Sequence, residues 1–290
     1  MKKRICKMLL VMSIPFIFMG CGEKTEDNGK LKVAATINTL GEFTEVIGGD
    51  KVDVYTVVKG NTEPHDFDFT PSDQKELSNR KVLFCNGLGL DEWSEQISGD
   101  IEKVDTSKNS DIIITDNQED PHVWLSTKEA IKQCEIIKDT LIEIDPKNKD
   151  FYEENFNTYK EKLEDLYNRN VDRFKDVKEK SFVTSHEAFA YLCRDMGLEQ
   201  KAIKGVGNED IEVTIKDMQA LVDFCKERGI NIVFSEESDS QKDAKTLAKE
   251  IDGKVVPIYT LETKVEGKTY LDAIQEDYDK VYDGLKNISK

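Results

Sequence analysis

Along most of this 290-residue chain, short runs rich in β-branched residues alternate with segments whose apolar side chains recur every three or four positions. A strand buries every second residue and a helix buries a stripe of period about 3.6, so the alternation predicts strands and helices in turn. KLKVAATI (30–37), KVDVYTVV (51–58), KVLFCNG (81–87) and DIIIT (111–115) read as strands, with NTLGEFTEVIGG and PSDQKELSN between them as helices. STKEAIKQCEIIKDTLIEID, beyond residue 125, opens on a Ser/Thr cap and continues at helical spacing. Strands and helices in this order predict a parallel sheet covered by helices.

The pattern changes at Pro146. Phe151, Phe156, Tyr159, Leu163, Leu166, Tyr167, Val171 and Phe174 follow at steps of one to five, and a proline stands where a helix would begin. A helix of the 32 residues from Pro146 to Val177 would run about 48 Å at about 1.5 Å per residue. That length suits a strut between two lobes better than a crossover within one, and the apolar spacing drifts too much for a coiled coil. Beyond it the alternation resumes. KSFVTS, QKAIKG, INIVFS and KVVPIY read as strands, and HEAFAYLCRDMG, TIKDMQALVDFCKERG, SQKDAKTLAKEIDG and YLDAIQEDYDKVYDGL as helices. The expected fold is α/β, with two open lobes of parallel sheet joined by one long backbone helix. The expected divisions are an N-terminal lobe at 31–145, the linking helix at 146–178 and a C-terminal lobe at 179–290. Ligands of open α/β sheets sit outside the strand ends, which places a ligand in the cleft between the lobes.

The first 20 residues have a basic start and then an apolar run from Met8 to Met19, too short for a span of about 20 residues. They read as a signal peptide. Gly20-Cys21 resembles the lipidation box of bacterial lipoproteins, although Phe18 and Met19 depart from its usual residues. Cys21 is the expected acyl anchor, and polar residues 21–30 the tether; an ordinary signal peptide with an incidental cysteine is the alternative. The chain is then expected at the extracytoplasmic face of the cell membrane.

Charge narrows the partners. The formal net charge is −17, and removing the signal takes away Lys2, Lys3, Arg4 and Lys7 but no acid. So acidic a chain, without a basic stripe, is not expected to bind nucleic acid. Of six cysteines, Cys85, Cys134, Cys193 and Cys225 lie beyond the signal and anchor, widely spaced and beside apolar residues. They read as buried thiols, with one disulfide as the alternative outside the cytoplasm.

Only three histidines are present, and each stands in a strand-to-helix connection: His65 in EPHDFDFTPSD, His122 in EDPHVWLS and His186 in VTSHEAFAY. Pro64 and Pro121 restrict the backbone just before two of them. Neutral imidazole is a common metal ligand. His65 and His122 belong to the first lobe and His186 to the second, so an ion held by all three lies in the cleft. Asp66, Asp120 and Glu187 are the adjacent acids that could orient the rings. Singly, each histidine is more often a surface or capping residue; Ser185 could cap a helix beginning at His186. A secreted zinc hydrolase is the competing class, but HEAFA lacks the second histidine of H-E-x-x-H and no G-x-S-x-G is present.

Together EPHDFDFTPSD, NGLGLDEW (86–93), DPHVWLS and TSHEAFAYLCRDMGL resemble the metal-binding solute receptors of bacterial ABC importers, the zinc and manganese uptake lipoproteins. The resemblance runs in order from about residue 31 to the C-terminus. It implies two α/β lobes on a rigid helix, a metal clamped between them, no catalysis, and a membrane permease as partner; the chain is expected to be monomeric. It also implies His65, His122 and His186 as ligands. Histidine at the third position is usual in zinc-directed members and a carboxylate in manganese-directed ones, so Zn2+ is the expected cargo with Mn2+ as the alternative. The fourth ligand comes from the late loop IYTLETKVEGKTYLDAI, where Glu262 is the match; Glu266, Glu236 or Glu237, and water are the alternatives. The histidine-rich insertion of some zinc members is absent.

Overall fold

The computed structural model describes residues 29–60, 62–115, 117–205, 213–236, 241–286 and 288. The expected signal peptide, Cys21 and Glu237 lie outside the described residues.

The first sheet is built from β1 (Leu31–Ala35), β2 (Val52–Thr56), β3 (Val82–Cys85) and β4 (Glu102–Asp105), all parallel in the order β2-β1-β3-β4. Alternation sends side chains to opposite faces. Val33, Ala35, Val82 and Phe84 enter the main core, while Ala34, Leu83 and Cys85 enter a smaller cluster with Trp93 and Ile97. Helices α1 (Asn38–Gly48) and α2 (Pro71–Leu77) connect these strands. Thr70 and Asp73 form a capping box at the start of α2, with Pro71 at a position that needs no amide donor.

DIIIT does not join this sheet as expected. Among the described residues, Ile114–Thr115 (β5) pairs only with Gln118–Glu119 (β6), antiparallel. The fourth strand is β4, whose sequence EKVD buries a single residue, Val104. A short polar edge strand carries little apolar signal.

Next come α3 (Thr127–Ile144) and α4 (Lys149–Phe174). The long helix has 26 residues, so about 39 Å at about 1.5 Å per residue, and not the expected 32. Pro146 opens a separate 3-10 turn before it, where Asp145 accepts from Asn148 and from the Tyr152 hydroxyl. At the far end Phe174 is buried against Tyr278 and Tyr282. Tyr152, Phe156, Tyr159, Leu163, Leu166, Asn170 and Phe174 form its buried stripe, at steps of three and four. Early in the helix Asn155 donates to Ile47 O of α1 at 2.9 Å. Late in it Asn170 reaches Gln275 at 3.3 Å and Arg173 pairs with Asp279. One helix therefore grips both halves of the chain.

The second sheet repeats the first. β7 (Ser181–His186), β8 (Glu199–Lys204), β9 (Ile232–Glu236) and β10 (Lys254–Ile258) are parallel in the order β10-β9-β7-β8, linked by α5 (Ala190–Met196), α6 (Ile215–Arg228) and α7 (Lys242–Glu250). α8 (Tyr270–Leu285) closes the chain behind a Thr269–Asp272 capping box. Its first residue ties the halves together, because Tyr270 N donates to Glu42 of α1 at 2.7 Å. In both sheets the first strand of the half lies inside, with its successors on either side, which creates a switch point at its carboxyl end.

His186 is the last residue of β7, paired with Lys204, and α5 begins four residues later at Ala190. Ser185 is thus a strand residue rather than a helix cap. The His186 carbonyl is held by Thr184 Oγ1 at 2.7 Å and Gln200 Nε2 at 2.9 Å, which keeps the strand extended up to the imidazole. Cys85, Cys134, Cys193 and Cys225 are buried free thiols. No helix among the described residues is long and apolar enough to cross a membrane.

Candidate metal centre

Each histidine is delivered by a differently built support. The NGLGLDEW stretch makes a left-handed loop at Gly87, Leu88 and Gly89, with φ of 81°, 56° and 85°. A Cβ on Gly87 would lie 2.6 Å from Asp105 Oδ1, so only glycine fits the turn against β4. The loop wraps around the buried Asp91 carboxylate, which accepts from Asn86 N, Gly87 N and Thr36 Oγ1. Asn86, fixed in this way, donates to Pro121 O at 2.9 Å, the carbonyl just before His122.

From the other side Tyr191 donates to Asp120 O at 2.8 Å, and Trp124 Nε1 donates to Thr260 O at 2.7 Å. Tyr270 in turn donates to Trp124 O at 2.6 Å. Residues of both halves thus clamp the segment that carries His122. The same Trp124 bond anchors the loop carrying Glu262, and the next carbonyl, Leu261 O, accepts from Thr39 Oγ1 of α1. Leu261 has φ of 61°, an uncommon conformation for a bulky side chain. Bonds to the carbonyls of residues 260 and 261 hold that backbone and turn Glu262 inward.

Three histidines and one glutamate meet. His65 Nε2 and His122 Nε2 are 3.4 Å apart, and Glu262 Oε1 lies 3.0 Å from His122 Nε2 and 3.5 Å from His65 Nε2. An ion with bonds of about 2.0–2.1 Å sets tetrahedral donors about 3.4 Å apart, so this triangle has the dimensions of one coordination face. A His186 ring nitrogen completes a set with His65 and His122 in which all three donor atoms lie within 4.8 Å of one another. His186 belongs to the second sheet and His65 follows a strand of the first, so the donors converge across the cleft.

Orientation and burial suit coordination. Asp120 Oδ1 lies 2.7 Å from His122 Nδ1, and Glu236 Oε1 lies 2.9 Å from His186 Nδ1. A carboxylate on Nδ1 fixes the tautomer and leaves Nε2 as the metal-facing nitrogen. His122 is 0% exposed and His186 3%. His65 borders a surface hollow of about 400 Å³ lined also by Leu88, Glu92, Gln118, Glu119 and Pro121. Glu262 is 1% exposed, and its Oε1 faces the ring nitrogens of His122 and His65. Such a carboxylate is costly unless a positive charge sits beside it. The donor set of three imidazoles and one carboxylate fits a divalent transition metal.

In the metal-free chain protons supply that charge. Burial opposes protonation of His122, but Asp120 on one side and Glu262 on the other outweigh it and lift the pKa to about 10. Burial likewise opposes ionisation of Glu262, and the neighbouring His122 and His65 reverse this, holding the carboxyl far below the usual range.

Of the acids weighed as orienting partners, Asp120 fills that place for His122. For His186 it is Glu236, an alternative fourth ligand from the sequence, that touches Nδ1. Parallel pairing of β7 with β9 aligns their carboxyl ends, and both strands end on an ionisable residue. That shared ending is the sequence signal for the pair. Glu266 is exposed. Glu63, which no sequence pattern singles out, forms with His65 and Glu262 a second set of donors within 4.8 Å of one another.

Residues 33–284 match the family profile described as zinc-uptake complex component A, periplasmic (ZnuA). The high-affinity zinc uptake system protein ZnuA of Bacillus subtilis (strain 168) is 32% identical over 289 residues, 91% of this chain and 90% of that protein. The manganese ABC transporter substrate-binding lipoprotein PsaA of Streptococcus anginosus is 29% identical over 311 residues, 98% of this chain and 99% of its own. Among solved structures, the laminin-binding protein Lmb of Streptococcus agalactiae, described as a bifunctional protein with adhesin and metal transporting activity, superposes with a TM-score of 0.84. That superposition has 26% identity and covers 89% of this chain and 100% of the other.

Proposed function

Since the chain belongs to the ZnuA family of metal-binding substrate-binding proteins of ABC transporters, we propose that it captures Zn2+ through His65, His122, His186 and Glu262 and delivers it to a membrane permease. Proteins of this family are transport receptors and not enzymes. The observation that carries the zinc reading is the donor chemistry. Three imidazoles suit zinc, whereas manganese is better served by oxygen.

Capture works by assembling donors from both halves. His122 and Glu262 are already held together by bonds that cross between the halves, so they form the fixed part of the site. His186 arrives on the second sheet and closes the sphere. Stiffness of α4, bonded to both halves, limits how far they separate, so affinity is set largely by donors already in place. Release then requires the permease to favour an arrangement in which the halves part slightly.

The same reading assigns Cys21 as the lipid anchor at the extracytoplasmic face of the cell membrane, residues 21–30 as tether, and the monomer as the working form. It takes 31–145 and 179–290 as the two lobes and 146–178 as the link.

Calorimetric titration of the metal-stripped chain with Zn2+ and with Mn2+, for the natural sequence and for Glu262→Ala, tests it. One zinc ion per chain, bound more tightly than manganese and weakened in the variant, is expected. Equal affinity for both ions contradicts the zinc preference, and an unchanged zinc constant in the variant removes Glu262 from the ligands.

A further inference from the structure

Given a metal held by the histidine cluster, we propose that Arg194 is a positioning residue of the receptor: it holds α5, and with it His186, against the half that carries His65 and His122, and so sets how fast the metal leaves. α5 begins four residues after His186, so the helix and the ligand move as one piece of chain. Leu192, Cys193 and Met196 of this helix enter the apolar core. Tyr191, Arg194 and Asp195 stand three and four positions apart, on one side of the helix. All three reach residues of the first half.

Tyr191 Oη accepts from Ile113 N at 3.1 Å and donates to Asp120 O at 2.8 Å. Arg194 Nη1 donates to Asp111 O at 2.8 Å and Nη2 to Glu129 Oε1 at 2.7 Å. Asp195 accepts from Ser126 Oγ through one oxygen and from Arg194 Nε, at 3.1 Å, through the other. Asp120 and Ser126 flank His122. The helix behind one ligand is therefore bonded to the segment around another.

Charge makes Arg194 the member on which the seam depends. Glu129, on the first half, is 0% exposed, and the Asp195 side chain, on the second, is 3% exposed. Burial raises the Asp195 pKa, Ser126 and Arg194 oppose this, and the like charge of Glu129 adds to it. Arg194 lies between the two carboxylates, at 2.7 Å from Glu129 and 3.1 Å from Asp195. Lys132 also pairs with Glu129, at 3.0 Å, but it belongs to α3 on the same half and does not cross the seam. Without Arg194, Glu129 keeps Lys132 and the Asp111 amide, while the attraction between the halves gives way to repulsion between two acids. A polar seam also suits a receptor that must open, because its bonds are exchanged for bonds to water when the halves part.

The test is stopped-flow release of Zn2+ from the loaded full chain into excess chromogenic chelator, for the natural sequence, Arg194→Met and Arg194→Lys, each also combined with His186→Ala. Loss of one partner of a shielded, hydrogen-bonded charge pair acts mainly on the dissociation rate. Arg194→Met keeps the apolar stem and loses the charge, and should release zinc about 5–30-fold faster. Its association rate should stay within about threefold of the natural one. Arg194→Lys should fall between the two, since an ammonium restores the charge but not the forked contact. Beside His186→Ala, where α5 no longer carries a ligand, Arg194→Met should change release by less than about twofold. Release at the natural rate in Arg194→Met overturns the proposal, as does an acceleration that persists undiminished beside His186→Ala. If circular dichroism shows that Arg194→Met does not fold, Arg194→Gln takes its place with the same expectations. A natural chain that binds no Zn2+ instead overturns the metal-binding reading on which the proposal rests.

Discussion

Replacement of Glu236 by glutamine tests whether zinc affinity depends on a group that never touches the ion. Glu236 is 4% exposed, with Oε1 2.9 Å from His186 Nδ1. With metal on Nε2, Nδ1–H donates to this carboxylate, whose charge makes the imidazole a stronger ligand. Outer partners of this kind are worth about 10–100-fold in metal affinity. Glutamine keeps the length and one acceptor oxygen but loses the charge, so it should fall near the lower end, about tenfold or about 1.4 kcal/mol. Glu236→Ala loses the orienting bond too and opens a void, and should approach the upper end, about 100-fold or about 2.7 kcal/mol. Competition against a chromogenic zinc chelator reads both constants, and circular dichroism of the zinc-free variants confirms that they fold. If alanine and glutamine both leave the constant within about threefold, under 1 kcal/mol, the orienting role of Glu236 is wrong.

Three further expectations concern His122 and the clamp around it. The His122 pKa of about 10 means that at neutral pH zinc must displace a proton, so binding should release about one proton per ion. Calorimetry in buffers of different ionisation enthalpy measures this, and heats independent of buffer contradict it. The sign for stability is set by the same shift: raised above its ordinary 6.5, His122 stabilises the zinc-free fold fully below that pH and loses the contribution as pH rises through about 10. Trp124→Phe keeps most of the ring volume but leaves the buried Thr260 carbonyl without its donor, which should cost about 1–3 kcal/mol in urea unfolding of the zinc-free chain. It should also weaken zinc binding by loosening the Glu262 loop, and unchanged unfolding refutes the clamp.

The histidines were legible because His65 and His122 stand in connections behind a proline while His186 ends β7, and the sheets put those positions in the cleft. Strands with β-branched cores were legible for the same reason, that burial on both faces leaves an apolar run. β4 was not, since an edge strand needs only Val104 inside. DIIIT misled in the opposite direction: Ile112 and Ile113 pack against the core from a loop, and Ile114 is 69% exposed. The long helix was overextended because a proline at a helix start and one opening a separate turn look alike in sequence. Glu236 and Glu63 depended on pairings between strands and on a carboxylate folding back within its own loop, neither of which leaves a periodic trace. NGLGLDEW was conspicuous, but its part in holding Asn86 against Pro121 exists only in three dimensions.

Zinc-edge X-ray absorption on the chain loaded with one equivalent of Zn2+ reports directly on whether imidazoles from both halves share a single ion. The expected shell has three imidazole nitrogens at about 2.0–2.1 Å and carboxylate oxygen at about 2.0–2.2 Å, with one imidazole lost in His186→Ala. A shell made of water and carboxylate alone, or one that His186→Ala leaves unchanged, would contradict it.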